Sequence, residues 1–520
     1  MEAGTKRFQF LKILIIKPFK SIIKCEKRTK QNSDYQKTSF VRFLYLRSDF
    51  CPSLLLTIQP ACSIVKVDNK RGIIMYQTYH LKQRLRLFVS IFVPILIYQL
   101  ANFSASFVDT TMTGQYNTLH LAGVSMATSL WIPFFDLLTG IVSALVPIIG
   151  HHLGQGKAGK IASDFYQFIY LSLGLSLVLF TLVFLGAPLV LARLGLEPLV
   201  EGIAKHYLWY LGLGIIPLLL FSVIRSLFDA LGLTKLSMYL MILLLPLNGI
   251  FNYVLIYGAF GFPEMGGAGS GLGTSLSYWA LLFISLLLAV KHPKVRSYEL
   301  WKTRPLNKAG LAEGFRLGLP IGGTVFAEVV IFSVVGLIMA KFSSLIIASH
   351  QAAMNFSNLM YAFPMSISTA MAIIVSYELG AKRYEDVKKY CKLGRVAALI
   401  FAVFTLSFLY IFRGRVAALY GSNPDFIRLT SIFMTYSLFF QLADTFAAPL
   451  QGILRGYKDT QVPFYLGLVA YWGVSLPLGL FLDHFTSLGP YGYWIGLIAS
   501  LVTSGILFQW RLHKIQKKSS

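Results

Sequence analysis

Apolar residues run along the chain in twelve long blocks: 86–111, 122–149, 164–190, 203–229, 236–258, 269–290, 316–340, 346–376, 394–412, 426–450, 461–482 and 490–511. Each is near or above the roughly 20 residues that a helix needs to cross a hydrocarbon core of about 30 Å. None alternates apolar and polar positions over ten-residue segments, so barrel strands are excluded and the blocks are predicted to be helices. The pattern predicts an all-α polytopic membrane protein with twelve transmembrane helices. After the sixth block comes "KHPKVRSYELWKTRPLNKAG" (Lys291 to Gly310), basic and interrupted by prolines. It divides the chain into an N-lobe at 75–290 with helices 1–6, a linker at 291–312, and a C-lobe at 313–520 with helices 7–12.

The two sixes echo each other. "LAGVSMATSLWIPFFDLLTGIVSALVPIIGHHLGQGK" from Leu121 aligns without a gap to "IASHQAAMNFSNLMYAFPMSISTAMAIIVSYELGAKR" from Ile347, placing Ala122 on Ala348 and Gly154 on Gly380. At the same offset "FVPI" at Phe92 meets "GLPI" at Gly318, and the turn "LGLTK" resembles "RGYKD" at Arg455. Equivalent helices hold the same place in each six and cross in the same direction. The halves are therefore parallel repeats about an axis along the membrane normal, an arrangement that encloses a cavity between two bundles.

Composition agrees with lipid as the main solvent: 55% of residues are hydrophobic and 13% charged, far more apolar than a soluble average. Lys and Arg gather in the connections after even-numbered helices, around Lys157 and Lys160, at Lys235, in the linker, in "AKRYEDVKK" and "RGYK", and in the tail "RLHKIQKKSS". Opposite connections such as "TGQYNTLHL" and "DHFTSLGPYG" hold none, although "LARLGLEP", "AKFSS" and "FRGRVAALYG" do. The distribution predicts both termini on the cytoplasmic side. Residues 1–74 are basic and hold three of the four cysteines, Cys25, Cys51 and Cys62. They show neither a spanning run nor a signal peptide. They are expected to be disordered, or to precede a functional start at Met75; the alternative is a basic amphipathic arm on anionic lipid, with "FQFLKILIIKPFKSIIK" as its best stretch. Cys391 alone supports neither disulfide nor metal site.

Intramembrane acids carry the chemistry. A carboxylate near the bilayer centre costs about 2.5 to 3.5 kcal/mol on insertion scales, so it faces a cavity or a partner rather than lipid. Asp109 lies on the first helix, Glu328 on the seventh and Asp444 on the tenth. Gln99, Asn102, Ser106 and Asp109 share one helical face, as do Gln441, Asp444 and Gln451; the eighth helix adds Gln351, Asn355 and Asn358, and the fifth Asn248 and Asn252. A lone acid can also pair with a neighbouring hydroxyl, and amide stripes can glue helices together. Asp136 and Asp229 are weaker candidates, Asp229 standing beside Arg225. His151 and His152 read as a solvated helix end. ATP is excluded as the driver because no G-x-x-x-x-G-K-[ST] loop occurs and "GGAGSGLG" at Gly266 follows no strand; its spacing fits helix packing. An enzyme finds no support, since neither HExxH nor GxSxG occurs.

At "VDTTMTG" (Val108), "LPLNGIFNYVLIYGAFGFPEMGGAGSGLGT" (Leu245), "GLPIGGTVFAE" (Gly318), "HQAAMNFSNLMYAFPMSIS" (His350) and "LADTFAAPLQGILRGYKD" (Leu442), the sequence resembles the multidrug and toxic compound extrusion (MATE) transporters, in their bacterial NorM-like branch. The resemblance runs from about Gln83 to Lys514. It implies secondary active export of cationic drugs or toxins in exchange for H⁺ or Na⁺, by alternating access, from a bacterial cell membrane. It carries the coupling acids over to Asp109, Glu328 and Asp444, with Na⁺ as a possible ligand of the last two. It gathers Asn248, Asn252 and Thr274 around Asp109, and Gln351, Asn355 and Gln441 join the expected polar network. Phe440 departs from relatives that have tyrosine there. No cofactor, no resident metal and no nucleic-acid partner are expected; the partners are the drugs and the bilayer, and the chain is expected to be a monomer. A lipid-linked oligosaccharide flippase shares the two-bundle plan, but an anionic headgroup favours basic cavity residues. Both H⁺ and Na⁺ suit carboxylate oxygens, so the coupling ion stays open at this point.

Overall fold

Proline removes a backbone hydrogen bond wherever it enters a helix, and a membrane helix tolerates the loss when neighbours satisfy the freed carbonyl. Pro94, Pro133, Pro246, Pro320, Pro364 and Pro449 all lie inside helices that continue past them. The computed structural model describes residues 78–518 apart from Trp301 and Ser422; residues 1–74, with the expected start at Met75, lie outside the described residues. Among the described residues there is no strand. The helices are α1 (Leu81–Tyr116), α2 (Thr118–Gly154), α3 (Ala158–Arg193), α4 (Pro198–Gly212 continuing as Ile215–Ala230), α5 (Thr234–Tyr257), α6 (Gly267–Lys291), α7 (Lys308–Ile338), α8 (Ser344–Gly380), α9 (Tyr384–Ala418), α10 (Pro424–Gly456), α11 (Gln461–Phe485) and α12 (Pro490–Lys518). Each matches one of the blocks read from the sequence, α5 and α7 ending one and two residues short of theirs.

Helix starts follow local chemistry. Asn117, Asn307 and Asn423 accept hydrogen bonds from the first free amides of α2, α7 and α10, and prolines open α4, α10 and α12. The 48° bend in α4 has a traceable cause. Pro217 has no amide for the Leu213 carbonyl, and the Trp279 indole of α6 donates to that carbonyl at 3.2 Å while Ser275 donates to Tyr210 at 2.7 Å. In α11 the turn Val469–Ser475 is a π-helix, the kind of bulge that turns side chains toward functional sites.

The linker is no loose tether. Tyr166 and Tyr170 of α3 donate to the Leu300 and Arg304 carbonyls at 2.8 and 2.7 Å, and Gln167 donates to the Pro305 carbonyl at 3.1 Å while accepting from the Asn307 amide at 2.8 Å. Val295, Tyr298 and Leu300 are buried. Burial raises the Tyr298 phenol to about 12. α7 begins at Lys308, inside the expected linker.

The first six helices meet the second six mainly through α2, α7 and α8. Gly140 abuts Gly322, Gly318 lies against Ile141, and the Phe134 ring of α2 packs at a tilt on Phe326 of α7, their centres 5.7 Å apart. Lower on α2, a methyl on Gly150 would stand 2.8 Å from Ser376 Cβ, and one on Gly154 2.7 Å from the Gly380 carbonyl carbon. These are repeat mates: the offset that places Gly154 on Gly380 also places Gly150 on Ser376. Each mate touches its counterpart, so the pseudo-twofold axis passes between α2 and α8 here. The same end of the molecule is tied by Arg84 to Asp386 at 2.8 Å, by Thr78 to Tyr390 at 2.8 Å, and by His151 Nε2, which donates to the Gly456 carbonyl at 3.0 Å. His152 lies 2.6 Å from Asp164. The two histidines are thus not a solvated helix end: the close glycine packing draws one onto α10 and the other onto α3. We call this end, where the connections after even-numbered helices lie, the basic face.

Candidate functional site

Four helical residues form one polar chain in the first half. Asn252 and Asn248 stand one turn apart on α5, and Thr274 lies on α6 behind a glycine run that lets α5 and α6 approach closely. Asn252 Nδ2 donates to Asp109 Oδ1 in a short contact and also lies 3.2 Å from Asn248 Oδ1, while Asn248 Nδ2 donates to Thr274 Oγ1 at 3.2 Å. Both asparagines are buried. Asn252 Oδ1 has no hydrogen-bond partner; it packs against Gly273, where any larger residue would collide with it. A free carbonyl oxygen beside a carboxylate is an acceptor-rich corner, suited to a proton on the acid or to a small cation.

The second half holds the other two acids. Glu328 is 8% exposed and Asp444 4%, and the two interact electrostatically. Tyr471, turned inward by the α11 π-helix, donates to Glu328 Oε2 at 3.5 Å, and Trp472 donates to the Ala327 carbonyl at 3.3 Å. Tyr361 of α8 lies within electrostatic reach of both acids and Arg455 within reach of Glu328. Arg455 Nη2 is held by Gln451 Oε1 at 3.0 Å. Tyr361, Tyr471 and Arg455 escaped the sequence reading. Arg455 stood in a stretch read as a connection, and only the π turn reveals Tyr471.

Other residues behave differently from the expected single network. Gln441 makes no side-chain hydrogen bond, and both its amide atoms are buried without partners; it lines a narrow gap with Phe401, Thr405 and Thr445. Phe440 packs against Phe332 at 5.7 Å and Trp494 at 6.2 Å, so a hydroxyl there would point into apolar side chains. The phenol that donates to Glu328 comes from α11 instead. Gln351, Asn355 and Asn358 are all exposed along one face of α8, which in a membrane helix marks an aqueous cavity rather than lipid. Asp229 accepts from Ser237 at 2.7 Å and from Tyr98 at 3.5 Å, and Arg225 stands over the Tyr98 ring at 5.3 Å rather than in a direct ion pair. No hydrogen bond or ion pair among the described residues joins the Asp109 cluster to the Glu328–Asp444 cluster. No group of three metal-ligating side chains occurs among them either.

Comparison with known proteins places this geometry in context. The MatE family model matches twice, over residues 94–254 and 320–481, which reproduces the internal repeat. The chain is 70% identical over 444 residues to the "Probable multidrug resistance protein NorM" of Streptococcus pneumoniae (strain TIGR4), covering 85% of this chain and 98% of that protein. It is 44% identical over 446 residues to the protein of the same name from Oceanobacillus iheyensis, covering 86% and 100%. Among solved structures, a eukaryotic MATE transporter, AtDTX14, superposes with a TM-score of 0.75 at 18% identity, covering 84% of this chain and 98% of that one. A multidrug resistance MATE family transporter of the MOP superfamily in an outward-facing conformation gives 0.75 at 18% identity, covering 84% and 97%. At those identities the two structures speak for the fold.

Proposed function

Because the chain belongs to the MatE family and is a transporter rather than an enzyme, we propose that it is a multidrug efflux protein that exports organic cations in exchange for H⁺ or Na⁺. The observation that carries this reading is the pair of separate carboxylate clusters, one in each repeat, beside an α8 whose polar face, Gln351, Asn355 and Asn358, is exposed. A proton or Na⁺ neutralises a buried acid in one conformation, and a cationic substrate biases the inward-open and outward-open populations the other way. Coupling then rests on differential affinity between two states. Exporting a monovalent cation against an inside-negative potential costs about 2.3 kcal/mol per 100 mV, and one entering ion offsets it. One-for-one exchange therefore runs on the ion's concentration gradient.

The flippase alternative is disfavoured because the two clusters are built on acids, Asp109 in one and Glu328 with Asp444 in the other, against the single base Arg455 near them. Everted vesicles supplied with a fluorescent cation in the outer medium, where the cytoplasmic face now lies, test the function directly as uptake into the lumen. Transport is expected under an imposed proton or Na⁺ gradient, identifies the coupling ion by which gradient works, and saturates with substrate. Flux without saturation or without either gradient refutes the exchanger.

The basic face is read as cytoplasmic, with both termini inside a bacterial cell membrane. Reporters fused after Lys157, in the linker and at the C-terminus are expected to read inside. An outside reading at the linker would overturn the six-plus-six topology.

A further inference from the structure

We propose that Asp136 is a substrate-binding carboxylate, which holds the positive charge of an organic cation at the floor of the cavity between α2 and α8, apart from both coupling clusters. The inference rests on the transporter reading and adds a residue and a place to it. Ser125, Ser129, Ile132 and Asp136 recur on α2 at i, i+4, i+7 and i+11, one face of a helix. Continued down the helix, that face reaches Gly150 and Gly154, which touch Ser376 and Gly380 on the pseudo-twofold axis. By continuity the face is turned to the α8 side: α2 meets α8 through Leu145–Gly154, and the stripe above that contact is exposed. Gln351, Asn355 and Asn358 lie on the α8 face that ends at the same Ser376 and Gly380, and they are the repeat mates of Ser125, Ser129 and Ile132. Two mated stripes thus line one vestibule.

Asp136 closes that vestibule below. It sits one turn above Gly140, where α2 meets Gly322 of α7, while its own mate, Ala362, is buried and uncharged. The symmetry breaks here by the introduction of a single acid. Among the described residues no side chain donates to the Asp136 carboxylate; the one side-chain bond at this residue is from Thr139 to the Asp136 backbone carbonyl, at 3.2 Å. The residue is partly exposed. A structural acid inside a helix bundle is paired, as Asp229 is with Ser237 and Tyr98. An unpaired, accessible one on a cavity floor lacks a cation. Ile132 and Leu359, both exposed beside the polar stripes, offer apolar surface to the body of an amphiphilic cation. Because the site is separate from Asp109 and from Glu328–Asp444, substrate and coupling ion can be bound at the same time.

Tetraphenylphosphonium is the probe, because its charge is permanent and it donates no hydrogen bond. Binding to the purified full chain, measured without any gradient, is expected to weaken roughly tenfold or more in Asp136→Asn, as the loss of one charge-mediated contact implies. Asp136→Glu should retain most of it. Moving the acid one turn up the same face, as Ile132→Asp in the Asp136→Asn background, should restore binding in part, an effect that a packing role would not produce. In the unmodified chain, tetraphenylphosphonium should protect Asp136 from carbodiimide modification mapped by mass spectrometry, a test independent of any variant's folding. Wild-type affinity in Asp136→Asn, or modification of Asp136 unaffected by the probe, overturns the proposal. Absence of gradient-driven efflux in the unmodified chain would instead overturn the transporter reading beneath it.

Discussion

Neutralising either acid of the second cluster, by Glu328→Gln or Asp444→Asn, should abolish ion-driven efflux while leaving expression intact, and the double variant should be no worse than the worse single. The reason is a charge count made possible by Arg455. Two ionised carboxylates beside one guanidinium leave one net negative charge, which a single proton or Na⁺ balances. Removing either acid leaves one carboxylate and one guanidinium in the cluster, with no net charge, so the site as a whole no longer demands a cation from either side of the membrane. The second substitution then has nothing left to remove, which is why non-additivity is expected of the pair. Efflux assayed in everted vesicles under each gradient decides the matter. Additive losses would mean two independent sites, and wild-type efflux in both single variants would move the coupling to Asp109.

An equally large effect is expected where α2 and α8 touch. Gly154→Val places an isopropyl group whose Cβ alone would collide with Gly380 and the Tyr377 carbonyl. Overpacking of a tight contact typically costs about 1 to 3 kcal/mol, and here the cheapest relief is to part the two halves at the basic face. Transport should fall at least tenfold while the protein remains folded by size-exclusion and thermal melting. A maleimide applied from the basic side should label Ser376→Cys quickly in this background and slowly without it. Unchanged transport with slow labelling would show that this contact does not seal the basic face.

The helices and their acids were legible because lipid imposes a simple rule: apolar runs of spanning length, with any carboxylate inside them needing a reason. Asp109, Asn248, Asn252 and Thr274 could be joined because two of them are one turn apart on one helix and the family resemblance supplied the rest. Arg455 was not legible. Its position at a helix end made it count toward topology, and only the packing of α10 shows the side chain turned inward toward Glu328. Tyr471 was hidden for a different reason: a π turn adds a residue to the helical repeat, so any face drawn at 3.6 residues per turn misplaces it. Gln441 shows the converse error. It lies on the face that holds Asp444, yet its amide turns to the gap beside Thr405 and bonds to nothing. Helical period predicts direction from the axis, not which of two neighbours a long side chain meets.

The mated contacts on the pseudo-twofold axis bear on descent. In a six-helix ancestor assembling as a symmetric pair, a residue on the axis would have faced its own copy, so every mutation there would have struck both sides of the contact at once. Glycine facing glycine, as at Gly154 and Gly380, is the arrangement such a self-contact tolerates most easily. Once duplication joined the two copies in one gene, each side could change alone. Serine at 376 facing glycine at 150, and aspartate at 136 matched by alanine at 362, are asymmetries that only a fused chain can keep.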